Sequence, residues 1–183
     1  MKPATSAARR PGQRPADSAA MLRVDQAGEY GATRIYAGQL AVLGDRHPAG
    51  RLIAGMAAQE ERHRATFDAM LARRGGRPTL LQPVWHMAGF ALGAATALLG
   101  PEAAMACTSA IETEIERHYG HQLDALGTSD PELSEAIADF QAEEVEHRET
   151  AIAQGAERAP GYPLLSGLIR AGCRAAIALS RRI

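Results

Sequence analysis

Lysine is almost missing from this chain of 183 residues: Lys2 is the only one, and arginine carries the rest of the positive charge. Net charge is -1 and the pI is near 6.6, which gives no electrostatic case for a nucleic-acid partner. Cysteine is scarce too, with only Cys107 and Cys173, far apart and outside any C-x-x-C. That excludes a disulfide framework and a thiolate metal site and points to a reducing interior. Aromatics make up 4% of residues against 46% hydrophobic overall, the balance of Ala- and Leu-rich helices. An apolar run of the roughly 20 residues that span a bilayer is absent, the first twenty residues contain no secretory h-region, and no Gly-x-Gly-x-x-Gly dinucleotide fingerprint occurs.

What the chain has is a doubled pattern of acids. Glu60/His63 and Glu144/His147 are both Glu-x-x-His, and each follows a lone glutamate at nearly the same distance, Glu29 and Glu112. Residues three apart on a helix share a face and can close on one ion. One such pair among six histidines would prove little. Register is what discriminates. Ile53, Met56, Glu60, His63, Phe67 and Met70 follow one another in steps of three and four, and so do Leu133, Ile137, Phe140, Glu144, His147 and Ala151. The lone acids lie in similar rows: Leu22, Gln26, Glu29, Thr33, Tyr36, Leu40, Leu43, and Met105, Thr108, Glu112, Ile115, Tyr119, Gln122, Leu126. All four rows read as buried seams. Glu61, Arg62, Arg64, Glu143, Glu146, Arg148 and Glu149 fall off them, as a solvated face should, and no Lys or Arg falls on them.

An unpaired buried carboxylate costs several kcal/mol, so four would consume much of the ~5 to 15 kcal/mol that holds a domain together. Two divalent cations balance four carboxylates, with neutral imidazoles filling further positions. Oxygen-rich ligands with two imidazoles suit Fe or Mn better than thiolate-seeking metals. One Glu from each of two helices and Glu-x-x-His from two others resembles the ferritin-like di-metal carboxylate bundle.

The expected fold is therefore all-α: a ferritin-like four-helix bundle with a long crossover and an additional C-terminal amphipathic helix. Residues 1–20, rich in Pro and Arg, are expected to be a disordered tail, and 21–183 one ferritin-like di-iron domain. Breakers predict helices over 21–44 and 49–74, then a third segment after Pro83 that is interrupted at Gly100-Pro101 and continues to 126. A fourth helix runs from Asp130, its N-cap, to 157, and a fifth follows Pro160 and Pro163. Residues 84–99 are apolar apart from His86 and Thr96, which fits a buried core helix or an interfacial or re-entrant element. The C-terminal segment favours the interface: Leu164, Leu165, Leu168, Ile169 and Ile177 have a border of Arg170, Arg174, Arg181 and Arg182, as in a helix lying on an anionic membrane.

Beyond the acids, Arg23-Val24-Asp25-Gln26-Ala27-Gly28-Glu29-Tyr30-Gly31-Ala32, Arg34-Ile35-Tyr36-Ala37-Gly38-Gln39, Gly89-Phe90-Ala91-Leu92-Gly93, Ala104-Met105-Ala106-Cys107-Thr108 and Ala171-Gly172-Cys173-Arg174 resemble the demethoxyubiquinone hydroxylases of ubiquinone biosynthesis. The resemblance covers essentially 21–183. It implies an O2-dependent di-iron monooxygenase that hydroxylates C6 of a polyprenyl methoxy-benzoquinone. It places the protein peripherally on the cytoplasmic face of a bacterial inner membrane, or on an organelle inner membrane in a eukaryote. By that resemblance Glu29, Glu60, His63, Glu112, Glu144 and His147 are the ligands of two Fe ions, His118 and Tyr119 match a His-Tyr pair near the quinone, and NADH is a possible electron donor.

For Tyr119, core packing and a redox or hydrogen-bonding role stay open; His118 neighbours the seam and fits a solvated ridge as well. Asp25 fits either an exposed N-cap or a partner orienting a ligand imidazole. A ferritin- or rubrerythrin-like iron-handling protein would share the six ligands, but it should lack lipid-seeking segments, and rubredoxin-type Cys pairs are absent. Tail length of the quinone, assembly into a homo-oligomer and delivery by a lipid-presenting partner protein stay open.

Overall fold

A computed structural model describes residues 17–183. Six α-helices make up most of it, and no strand occurs among the described residues: α1 Ser18–Leu43, α2 Pro48–Arg73, α3 Gln82–Leu98, α4 Pro101–Leu126, α5 Pro131–Ala153 and α6 Tyr162–Ser180, with a 3-10 turn Ala156–Arg158 before the last. The first helix starts three residues earlier than its hydrophobic periodicity suggests, because Asp17 caps it by accepting from the Ala20 amide at 3.0 Å. Ser18, Ala19 and Ala20 are thus helical and Asp17 is their cap, and residues 1–16 of the expected tail lie outside the described residues. Asp130 caps α5 through the Leu133 amide, as expected, and Pro48, Pro101 and Pro131 open α2, α4 and α5. The interruption expected at Gly100-Pro101 is there, and it divides the segment into two helices, α3 and α4. Gly100 takes φ 119°, a conformation other residues rarely adopt, and redirects the chain there. α5 ends at Ala153, four residues short of expectation, with Gly155 in the left-handed region.

α1 and α2 form one antiparallel hairpin, α4 and α5 the other. α3 is the helical part of the crossover between them and lies along α1, while α6 packs on α4. Every residue of the α2, α4 and α5 seams is buried, and of the α1 seam Leu22, Gln26, Glu29 and Tyr36 are. The interior is layered. One apolar cluster contains Leu22, Phe67, Met70, Leu126, Leu133, Ile137 and Phe140. A second contains Tyr36, Ile53, Met56, Met105 and Ala151. The seam acids fall between these two layers on all four helices, so the bundle walls them off from water at both ends.

α3 comes very close to α1. A Cβ on Gly93 would stand 1.9 Å from the Ile35 carbonyl oxygen, and one on Gly38 would stand 2.2 Å from that of Phe90. Both obstacles are backbone, so neither can swing aside. Gly93→Ala should lower stability by about 1 to 3 kcal/mol, read as a drop in the midpoint of thermal unfolding. An unchanged midpoint would show that α3 is not seated this tightly.

Candidate metal centre

The side chains of Glu29, Glu60, His63 and Glu144 converge on one point, and those of Glu60, Glu112, Glu144 and His147 on another, within each group closely enough for one ion. All six residues expected as ligands are therefore together and buried. Glu60 and Glu144 belong to both groups, and Glu29 and Glu112 to one each. His63 Nδ1 lies 3.2 Å from Glu144 Oε1 and 3.5 Å from Glu29 Oε2. His147 Nδ1 lies 3.1 Å from Glu60 Oε1 and 3.2 Å from Glu144 Oε2. Among the described residues, no arginine reaches any of the four acids.

A pseudo-twofold governs what holds these groups. Tyr36 on α1 donates to Glu112 Oε1 on α4 at 2.8 Å, and Tyr119 on α4 donates to Glu29 Oε1 on α1. Each tyrosine stands seven residues after one lone glutamate and bonds the other. The histidines repeat the exchange. His63 Nε2 meets Glu143 Oε2 at 3.1 Å, and His147 Nε2 meets Gln59 Oε1 at 2.8 Å. The residue before each Glu-x-x-His acid thus orients the opposite imidazole. With Nε2–H donated outward, each Nδ1 keeps its lone pair for the interior. The His63 ring also stacks on Phe140, with centroids 4.0 Å apart.

Several of these contacts depart from expectation. Glu143, expected on a solvated face, is only partly exposed and is held between Arg62 and His63. Asp25 is neither an exposed cap nor a partner of a ligand imidazole; it is buried, accepts from Gln122 and faces His118. Tyr36 lay on a predicted seam without a role, although its spacing from Glu29 matches that of Tyr119 from Glu112. Glu114 had no signal at all. It is buried against Arg117 on its own helix and Arg170 and Arg174 on α6. Those two arginines therefore dock α6 onto α4 while staying partly exposed, and Arg181 and Arg182 are exposed as expected.

Eight donor atoms of the six residues are buried without a hydrogen-bond partner: Glu29 Oε2, both oxygens of Glu60, His63 Nδ1, Glu112 Oε2, both oxygens of Glu144 and His147 Nδ1. Orphans of this kind are rare in folded proteins and costly. All eight belong to the two converging groups, and two divalent cations would satisfy them together. The residues present fit a pair of metal ions.

Without metal, protons take over part of that task. Burial, and then the neighbouring carboxylate of Glu144, push Glu60 and Glu112 well above the ordinary carboxylate range. Burial opposes charge on His63, but the Glu144 and Glu29 carboxylates beside it raise it to about 10. Burial likewise opposes charge on Glu144, but His147 and His63 hold it down at about 2. Burial raises Asp25 to about 6, against the opposing pull of His118 and Gln122.

A cavity of about 540 Å³ runs between α1, α3, α4 and α6. Ile35, Leu92, Ile111, Ile115, Leu165 and Ile169 give it an apolar wall, and Glu29, Tyr119, Asp25 and His118 also line it. Leu168 lines it and is 64% exposed, so it opens to the surface at α6. His118 and Tyr119 are thus both in its wall, Tyr119 buried and bonded to Glu29, His118 partly exposed. Elsewhere on α3, on the residues flanking it and on α6, Leu80, Val84, Met87, Leu98, Leu99 and Leu164 are exposed. No helix is long and apolar enough to cross a membrane.

Four core helices that bring two Glu-x-x-His pairs and two further glutamates to one buried point define the ferritin-like carboxylate bundle as a class. Within it, the chain belongs to the family described as "Ubiquinone biosynthesis protein COQ7", whose profile matches residues 16–180. It is 57% identical over 162 residues to the 3-demethoxyubiquinol 3-hydroxylase of Rhodospirillum rubrum, a match that spans 88% of this chain and 76% of that one. It is 52% identical over 166 residues to the mitochondrial NADPH-dependent 3-demethoxyubiquinone 3-hydroxylase of Mus musculus, again 88% and 76%. To the mitochondrial 5-demethoxyubiquinone hydroxylase of Saccharomyces cerevisiae it is 42% identical over 179 residues, 89% of this chain and 77% of that one.

The raised groups predict an unusual pH profile for the metal-free protein. Above pH 4.5, the ordinary value for glutamate, folded Glu60 and Glu112 hold protons that the unfolded chain has released, so stability falls as pH rises. His63 adds the same sign: its contribution is complete below 6.5 and is lost as pH rises through about 10. Glu144 acts oppositely, but only below 4.5. Thermal unfolding of metal-free protein should therefore move to lower temperature from pH 5 to pH 8, and anaerobic ferrous ion should raise the midpoint and remove the trend. A metal-free midpoint that is flat or rises over this range would contradict the charge assignment.

Proposed function

We propose that this chain is the O2-dependent hydroxylase of ubiquinone biosynthesis that inserts a hydroxyl into a demethoxyubiquinone ring, with two iron ions held by Glu29, Glu60, His63, Glu112, Glu144 and His147. Iron would activate O2, which supplies the oxygen atom; the protein's share is to hold the metals, exclude water and place the ring. The relatives' names number the ring carbon 3 or 5, where the resemblance numbers it 6. In chemical terms it is the carbon at which a demethoxy ring lacks its oxygen substituent.

One observation carries the proposal. An apolar cavity, open at the exposed Leu168 of α6, reaches the Glu29 and Tyr119 side of the carboxylate cluster. A quinone ring can enter it while its polyprenyl tail remains outside among the exposed Leu and Met side chains. Glu60 and Glu144, common to both groups, would help hold both metals, while Glu29 and Glu112 would each help hold one and be steadied by a tyrosine hydroxyl. Iron storage requires neither a ring-sized apolar cavity nor an apolar rim.

The rim of α3 and α6, with Arg181 and Arg182 beside it, supports a peripheral seat on a membrane, the cytoplasmic face of a bacterial inner membrane or an organelle inner membrane. Electrons would come from a nicotinamide nucleotide. The mouse relative's name specifies NADPH, whereas the resemblance suggested NADH.

Iron-loaded protein given reductant, a demethoxyquinone and isotope-labelled O2 should place label in the ring, seen by mass spectrometry. Glu60→Ala should cut turnover more than about 100-fold. Label found only in water, with iron precipitating as mineral, would refute the assignment. The protein should also float with anionic vesicles, and replacing Leu164 and Leu168 by Glu should reduce the bound fraction several-fold without altering helix content. Equal flotation of both would place the membrane contact elsewhere.

A further inference from the structure

Asp25 lies in the cavity wall one helical turn before Glu29, and it is only 2% exposed. Its two oxygens differ. Gln122 Nε2 donates to Oδ1 at 2.8 Å, and His118 Nε2 stands 3.5 Å from the same atom. Oδ2 has neither solvent nor a hydrogen-bond partner. Unlike the orphaned atoms of the metal centre, it belongs to neither converging group of ligands. Asp25 lines the cavity, whose wall is otherwise mostly apolar, so an occupant that carries an O–H is the available source of a donor for Oδ2. A carboxylate acceptor kept in a low-dielectric site without its donor is costly, which makes it selective among occupants.

Resting on the placement of the ring in this cavity, we infer that Asp25 recognises the substrate in its reduced state, with Oδ2 accepting a hydrogen bond from a ring hydroxyl of the quinol. The two redox states of the ring differ most simply in this respect. A quinol offers two O–H donors. A quinone offers two carbonyl oxygens, which can only accept and which face a carboxylate as like against like. Gln122 fixes the carboxylate through Oδ1 and so fixes the direction of Oδ2, and it ties this part of α1 to α4 next to Tyr119. A hydroxyl held at Asp25 would anchor the ring one turn of α1 from the Glu29 ligand. The discrimination follows from unsatisfied polar groups: a site built to accept from an O–H rejects the analogue that lacks it.

The test uses ferrous-loaded, full-length protein under anaerobic conditions and the emission of Trp85, the single tryptophan, which lines the same cavity. Three probes with a short alkyl tail are titrated: the demethoxyquinol, the corresponding quinone, and the quinol dimethyl ether, which keeps the reduced ring but has no O–H. In the wild type the quinol should bind at least about tenfold tighter than the quinone, as expected for a hydrogen bond to a charged group. The dimethyl ether should bind no better than the quinone. Asp25→Asn can place an N–H2 donor where Oδ2 stands, and the preference should then invert toward the quinone with helix content unchanged. Equal wild-type affinities for quinol and dimethyl ether would overturn the inference, and so would an Asp25→Asn protein that keeps the quinol preference. The wild-type comparison stands even if that variant does not fold. If no ring alters Trp85 emission, placement of the ring in the cavity falls together with Asp25; if all three bind equally, only the role of Asp25 falls.

Discussion

Four glutamates facing one another in a water-free layer, with only two imidazoles beside them, are the constraint on which the rest of this molecule depends. Like charges this close cannot all stay ionised without counter-charge. Arginine is abundant in the chain, yet among the described residues the arginines near the centre stop one shell away, at Glu143 or at Glu114. The metal-free chain answers with protons, on His63 and on the raised carboxyls of Glu60 and Glu112. Two divalent cations answer the same demand and leave the carboxylates free to act as ligands. The apolar layers above and below keep the demand acute, because water cannot enter to relieve it.

The internal repeat turns that constraint into an ordered site. Each hairpin contributes one lone acid, one Glu-x-x-His pair, one tyrosine for the other half's acid and one side chain for the other half's histidine. The halves lock each other's ligands, so neither is complete alone. The departure from twofold symmetry is the functional part. α3 and α6 wall a cavity on the side of Glu29 and Tyr119, and that cavity opens to the surface at Leu168. The tight seating of Gly38 and Gly93 along α1 and α3, and the burial of Glu114 under Arg170 and Arg174, hold those two walls in place.

Much of this was legible in the sequence because helical periodicity records burial directly. Steps of three and four through Glu60/His63 and Glu144/His147 identified a core face, and the structure buries all of both rows. What periodicity cannot record is which helix lies opposite. Glu143 and Gln59 fall off their own seams and look solvated, yet they meet a histidine on the partner helix. Glu114 is two residues from a ligand, on a face that only the docking of α6 makes interior. Arg170 and Arg174 match an arginine border in pattern, and their true partner is set by tertiary placement. Tyr36 is different: its seven-residue offset from Glu29 repeats that of Tyr119 from Glu112, a signal the repeat already contained.

The central claim is that two metal ions neutralise the buried carboxylates. Anaerobic titration of metal-free protein with ferrous ion, followed spectroscopically, tests it most directly. The account predicts saturation at two ions per chain, with magnetic coupling between them because Glu60 and Glu144 are shared. Saturation at one ion, or binding of two that are magnetically independent, would contradict it.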